Sequence, residues 1–476
     1  MNRRRFVQSA GLGVAAFLSS RFDKAVLAAA QPHPGRPATS KPDVVFILAD
    51  DLGWAQVGCY GSDFYETPNI DRLATQGMRF TDAYAACPVC SPTRASIMTG
   101  KYPARLHLTD FIAGGNFPYE RMTQPDWQKF LPLEEVTLGE LFKSRGFATA
   151  GFGKWHLSVA KQPPESLPYN PDKQGFDETL VTYKPSSRQD PETDAHNVEA
   201  ITERSLAFLE KNRDRPFFLY VTHNSIHNPL KGKSRLVAKY KAKRGADRPE
   251  NNPIIAAMME ELDASVGRIL AKLDELKLTD NTIVIFFSDN GGLASDARQT
   301  PLRSGKANLY EGGIRVPLIV RWPGVTRPGA TCDEPVISTD FFPTFRDIFG
   351  ATDIETDPID GVSLLPLLRQ EGTLHRPAIY WHYPHYHGSS IGPCGAVRAG
   401  DFKLIEWYDP SIPGPGNTLE LYNLKDDLGE KNNLARKMPA KAEQMRRMLD
   451  LWRYDVGARE MSLNPDYDPA RAKRSK

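Results

Sequence analysis

The chain has 476 residues, 40% of them hydrophobic and 25% charged, with a formal net charge of +2. That length accommodates one large domain and a smaller one around a sizeable core. A balance so near neutral excludes a dedicated nucleic-acid partner, and the one basic run, residues 231–244 (KGKSRLVAKYKAKR), reads as a solvated face.

In chain order, residues 1–30 read as an address. Arg3 and Arg4 precede an apolar run over 10–18, and Ala28-Ala29-Ala30 offers a small-residue cleavage site. This is the pattern of a twin-arginine signal peptide, so export to the periplasm is expected. The apolar run is shorter than the roughly 20 residues a bilayer span needs, so no stable membrane insertion is expected. Residues 31–42, rich in proline, read as a linker.

Four apolar stretches then read as buried strands, each ending in polar residues unsuited to a plain turn. DVVFILADD ends at Asp50 and Asp51, FATAGFGKWH at Lys154 and His156, PFFLYVTHNSIH at His223 and His227, and NTIVIFFSDNGG at Asp289 and Asn290. Helical periodicity lies between them, over 134–145, 194–212 and 254–278. Strands alternating with helices predict an α/β domain over 43–372 with a mainly parallel sheet, whose ligand site lies at the carboxyl ends of its strands. Beyond it, AIYWHYPHYH, GAVRAGDFKLIEWY and LELYNL predict a small antiparallel sheet, with a helix near 439–456. Residues 373–460 are thus expected to form an α+β subdomain, and 461–476 a disordered tail.

The strand ends carry the chemistry. Asp50, Asp51, Asp289 and Asn290 form an all-oxygen set suited to a hard divalent cation, Ca²⁺ or Mg²⁺. Arg94, Lys154, Lys306, His156 and His227 bring the opposite sign, and the mixture suits transfer of a phosphate or sulfate ester. The five cysteines are Cys59, Cys87, Cys90, Cys332 and Cys394. Their odd number shows no disulfide framework, and Cys87-x-x-Cys90 lacks the second pair a zinc site requires. Pro92 suits the first turn of a helix ended by Gly100, which puts Cys90 at a helix N-terminus, where a lowered thiol pKa is expected.

The run CSPTRASIMTGKY, beginning at Cys90, resembles the type I sulfatase signature, Cys-x-Pro-x-Arg followed by Thr-Gly-basic-Tyr. The resemblance to this family, part of the alkaline-phosphatase-like superfamily, extends from DVVFILADDLGW through GKWH and SDNGG to LYNLKDDLGEKNNLA. It implies that a maturation enzyme oxidises Cys90 to Cα-formylglycine, whose hydrate is the nucleophile: one hydroxyl attacks sulfur, and the other later expels sulfate. It further implies that Asp50, Asp51, Asp289, Asn290 and residue 90 hold Ca²⁺, with Mg²⁺ the lesser fit. Arg94 would steady the hydrate, Lys154 and Lys306 would bind sulfate oxygens, His227 with Lys306 would assist the leaving oxygen, and His156 would act as base. The family often has Pro-His-Thr-Pro where this chain has Ile226-His-Asn-Pro229.

The aromatic and imidazole-rich segment 380–390 resembles that of exported bacterial carbohydrate sulfatases. It implies exo-action on a galactose- or N-acetylgalactosamine-type sugar sulfate, at O4, with His382, His385 and Arg398 contacting the saccharide. The alternatives are a broad arylsulfatase, a phosphoester or phosphonate ester hydrolase of the same superfamily, and a non-catalytic protein that binds sulfated glycans.

Overall fold

The computed structural model describes residues 41–158, 168–356, 358–412 and 418–472. The expected signal peptide and all but the end of the linker lie outside the described residues.

The four expected strands occupy Asp43–Ala49, Ala148–Gly153, Phe217–Thr222 and Thr282–Ser288. Asp43–Ala49 lies at the centre, paired in parallel with Phe217–Thr222 on one side and Thr282–Ser288 on the other. Ala148–Gly153 and Glu178–Val181 extend the parallel half. Leu318–Arg321 runs antiparallel to Thr282–Ser288, and Met78–Phe80 with Ala330–Cys332 completes a mixed eight-stranded sheet.

Every residue of the four strands is buried, as strands covered on both faces require. Side-chain alternation divides them between two cores. Val45, Ile47, Leu219, Val221, Val284 and Phe286 face the layer built by helices Pro68–Gln76, Val198–Lys211 and Pro253–Glu275. Val44, Phe46, Leu48, Phe218, Tyr220 and Phe287 face helices Cys90–Thr99, Leu138–Ser144 and Phe341–Ile348.

The sheet hands over to the C-terminal subdomain between helix Leu365–Arg369 and strand Ile379–Tyr383, which spans the expected boundary. There Ile379–Tyr383, Cys394–Ala399, Phe402–Trp407 and Leu419–Asn423 form an antiparallel meander packed on helix Pro439–Asp455.

The tail departs from expectation. Ser462–Leu463 pairs with Met122–Thr123, Asn464 donates its amide to Arg121, and the Arg471 guanidinium stacks on Tyr119 at 3.5 Å. Strand pairing and a cation–π contact thus order the chain to residue 472, where composition alone predicted disorder. The basic run 231–244 is a solvated face, as expected: Lys239 and Lys243 pair with Glu66 and Glu260 around the short helix Ser234–Lys241. Among the described residues, no helix is long and apolar enough to cross a membrane.

Candidate active site

The parallel ladder continues past the strand ends and places their polar residues together. Asp50 donates its amide to the Ser225 carbonyl, Asp289 to Ala49, and Lys154 to Thr222. Gly153 permits the last of these: its φ is +119°, and a Cβ there would lie 1.8 Å from the Thr222 carbonyl oxygen. Backbone strain collects at the same place. Asp51, His156, Ser304 and Ala307 are non-glycine residues with φ between 58° and 68°, two of them in the site and two flanking Lys306.

Three buried ion pairs result. Lys154 reaches both oxygens of Asp50 at 2.9 and 2.8 Å, and Lys306 both oxygens of Asp51 at 2.6 and 2.8 Å. Arg94 meets Asp289 Oδ2 through Nε at 2.9 Å and Nη2 at 2.8 Å, while its Nη1 donates to the Lys154 carbonyl. Three carboxylates thus balance three cations. Burial works against ionisation of Asp51, but Lys306, His227 and Lys154 outweigh it and hold the carboxyl below its usual range. Asp289 moves the other way, raised by burial and by Asp50.

The donor set fits a divalent cation. Asp50, Cys90 and Asp289 offer ligand atoms within 4.8 Å of one another, as do Asp50, Asp51 and His227. Asn290 donates Nδ2 to Asp51 at 2.8 Å, yet its buried Oδ1 has no hydrogen-bond partner. An amide oxygen without a hydrogen-bond partner beside three carboxylates is the kind of donor a hard divalent cation takes. Because the side chains already cancel, a bound divalent ion would leave two net positive charges facing residue 90, a match for an anionic ester.

Cys90 opens helix Cys90–Thr99, which is buried throughout and ends at Gly100 with φ 72°. Its Sγ marks where the formylglycine oxygens would stand. Burial raises the thiol pKa, against Lys154 and Lys306, which lower it. His156 Nδ1 lies 3.2 Å from Sγ, and its Nε2 lies 2.5 Å from the Ile112 carbonyl. Burial, then Lys154, keeps His156 neutral. His227 Nδ1 lies 2.6 Å from the Asn228 carbonyl and so carries the proton, leaving Nε2 as a lone pair 3.7 Å from Asp51 Oδ2. Burial and Lys306 lower its pKa to about 3.

The three residues expected to contact substrate from the C-terminal segment all have protein partners. His382 engages the Tyr408 hydroxyl and the Arg459 carbonyl through its two ring nitrogens, on the face of its strand turned away from Trp381 and Tyr383. His385 is wholly buried, with Nε2 2.8 Å from Thr109 Oγ1. Arg398 pairs with Asp82 at 2.6 Å and also bonds the Tyr84 hydroxyl, joining the two sheets rather than facing a saccharide. His223 is a core residue against Ser265. The five cysteines are free, and Cys87 lies buried against the Thr109 carbonyl.

Sequence reasoning passed over His387. It is half-buried beside Phe111, its Nδ1 accepts the Ser389 amide, and the charges of Lys306 and Asp51 act on it. Asn308, two residues beyond Lys306, holds this segment through Ser389 and Ile391. It was hidden in plain view, within a segment where three neighbouring histidines looked equivalent.

A sulfatase family model matches residues 42–351, and a model of the C-terminal region of N-sulphoglucosamine sulphohydrolase matches 305–453. A sulfatase of Formosa agariphila is 30% identical, covering 85% of this chain and 86% of that protein. Human arylsulfatase A is 34% identical, covering 84% of each. The crystal structure of Ps i-CgsB in complex with k-i-k-neocarrahexaose superposes with a TM-score of 0.73 at 27% identity, covering 90% of this chain and 95% of that one. The chain therefore belongs to the sulfatase family and is a sulfuric ester hydrolase.

Proposed function

We propose that this enzyme hydrolyses sulfate monoesters of carbohydrates, with Ca²⁺ as its metal and formylglycine, made from Cys90, as its nucleophile. The observation that carries the reading is the neutral cluster of three carboxylates and three cations closing on residue 90 beside the orphaned Asn290 Oδ1. When present, the two groups supply a geminal diol and the positive charge that steadies it.

The remaining chemistry belongs to the side chains. Lys154 and Lys306 lie buried beside residue 90 and are disposed to take the sulfate oxygens. Arg94 holds Asp289 in place and lies against residue 90. His156, neutral with Nδ1 facing residue 90, is set to accept a proton there. Burial opposes the charge on Lys306, but Asp51 outweighs it and keeps the ammonium charged, whereas His227 is neutral. Lys306 and His227 together are placed to assist the leaving oxygen.

Support for a saccharide comes from Ps i-CgsB, whose complex holds k-i-k-neocarrahexaose. The narrower expectation, exo-action at O4 of a galactose-type unit, rests on the resemblance of segment 380–390 to that of bacterial carbohydrate sulfatases. The reading includes export by the twin-arginine route, on the strength of Arg3, Arg4 and the apolar run that follows. The test is sulfate release by matured enzyme from regiospecific mono- and oligosaccharide sulfates, beside a small aryl sulfate and a phosphate diester. Turnover of aryl sulfate with none of any sugar would sink the carbohydrate reading, and a faster phosphate diester would favour the phosphoester alternative.

A further inference from the structure

The His156 ring depends on a segment outside any regular element. Its Nε2 faces the Ile112 carbonyl at 2.5 Å. A carbonyl only accepts, so Nε2 carries the ring proton and Nδ1 presents a lone pair to residue 90. The same residue is tied to the nucleophile from its other side: the Ile112 amide donates to Ser91 Oγ at 3.1 Å, and Ser91 is the residue after Cys90. The backbone of one residue therefore sets the base and the nucleophile relative to each other.

What fixes the backbone at Ile112 is a buried carboxyl. Asp110 is 1% exposed and accepts the Phe111 amide at 2.9 Å, the Gly115 amide at 3.4 Å and the Tyr383 hydroxyl at 3.1 Å. It thus closes both ends of the turn that carries Ile112 and fastens it to strand Ile379–Tyr383 of the C-terminal sheet. Gly114 admits Trp127 against the turn, since a Cβ there would lie 2.7 Å from the indole. No lysine or arginine pairs with Asp110 among the described residues. The titratable groups that face it are Tyr383, Cys87 and His385, whose Nδ1 lies 4.0 Å away. Burial, opposed by the Phe111 amide and the Tyr383 hydroxyl, raises Asp110 to about 7.

We propose that Asp110 is a positioning residue: by closing the 110–115 turn it holds the Ile112 carbonyl where His156 must present Nδ1 to residue 90. It touches neither substrate nor nucleophile, and acts through His156. The orienting partner of this base is a backbone carbonyl rather than a carboxylate, which leaves the imidazole neutral and shifts the burden of orientation to the turn. The proposal rests on the role of His156 given above.

The test is a double-mutant cycle with Asp110→Asn, which keeps the volume but places an amide NH₂ where Asp110 only accepts. Alone it should lower kcat about 10- to 100-fold with KM within about twofold, the scale of a misplaced catalytic group. In a His156→Ala background it should cost nothing further. Tyr383→Phe, which removes a single hydrogen bond, should show the same pattern at smaller size and covers the case in which Asp110→Asn does not fold. An independent readout needs no matured enzyme: ¹⁵N–¹H spectra of histidine-labelled Cys90 protein should show the Nε2–H tautomer of His156, and its loss in Asp110→Asn. Full losses added in the His156→Ala background, a change in KM alone, or an undisturbed tautomer would each overturn the proposal. A fully active His156→Ala would overturn the role of His156 as well.

Discussion

Lys403→Met tests how the two sheets are held together. The Lys403 ammonium is wholly buried and bonds Glu311 Oε1 and Glu430 Oε1, each at 2.9 Å and each also wholly buried. Around it Arg315 pairs with Glu311 and Asp82, Arg398 with Asp82, and Tyr84 donates to Glu311. Three anions and three cations therefore balance at the seam between the catalytic sheet and the C-terminal meander. Methionine keeps the volume and strands two carboxylates beside each other, so breaking the cluster should cost about 3–5 kcal/mol. The deficit has a sign in pH. Burial, with Glu311 adding and Lys403 opposing, already raises Glu430 from 4.5 to about 7, and without Lys403 it rises further. A carboxyl whose pKa is raised on folding favours the folded state below 4.5, and that advantage is lost as pH rises through the folded value. Each pH unit in that window is worth about 1.4 kcal/mol per proton. Wild type itself gains about half of the two-unit span, so the variant should recover about 1–1.5 kcal/mol relative to wild type between pH 8 and pH 6. Urea unfolding at both pH values reads this directly. A variant within about 1 kcal/mol of wild type at pH 8, or one whose deficit grows on acidification, would refute the reasoning.

Three further outcomes follow from the same geometry. Cys90→Ser should abolish turnover while leaving the melting temperature and divalent-cation affinity largely unchanged, and full activity would refute the aldehyde nucleophile. Asp289→Ala removes a ligand and leaves Arg94 buried without its partner, so metal affinity should fall at least about tenfold, by calorimetry, together with activity. Arg398→Ala should cost about 3 kcal/mol of stability by urea unfolding with KM within about twofold. A large rise in KM with little loss of stability would return Arg398 to the substrate site.

The convergence of the candidate site was legible because its polar residues sit at element ends that local patterning marks. An apolar run that stops at Asp50-Asp51 or Asp289-Asn290 declares both its strand and the site beyond it, and parallel pairing leaves those ends nowhere to go but together. Cys90 was legible for a similar reason, as Pro92 and Gly100 bracket its helix. The C-terminal histidines show where this reasoning stops. His382 and His387 stand five residues apart in one aromatic run, yet strand parity turns the first onto Tyr408, while the chain past the strand carries the second to Lys306. Which face of a strand meets the catalytic domain is decided by packing between sheets, and composition does not encode it.

The same limit explains Asp110 and Ile112. Their segment has no periodicity, and what the site takes from it is a backbone carbonyl, a group every residue possesses. Its importance comes from three partners distant in the chain: Ser91, His156 and Tyr383. A mechanism read from side chains alone would therefore assign a nucleophile, a base and the cations and still omit what points the base. The C-terminal subdomain, through Tyr383 and the buried His385 beside Asp110, backs the turn that orients His156, while His382 faces away from it.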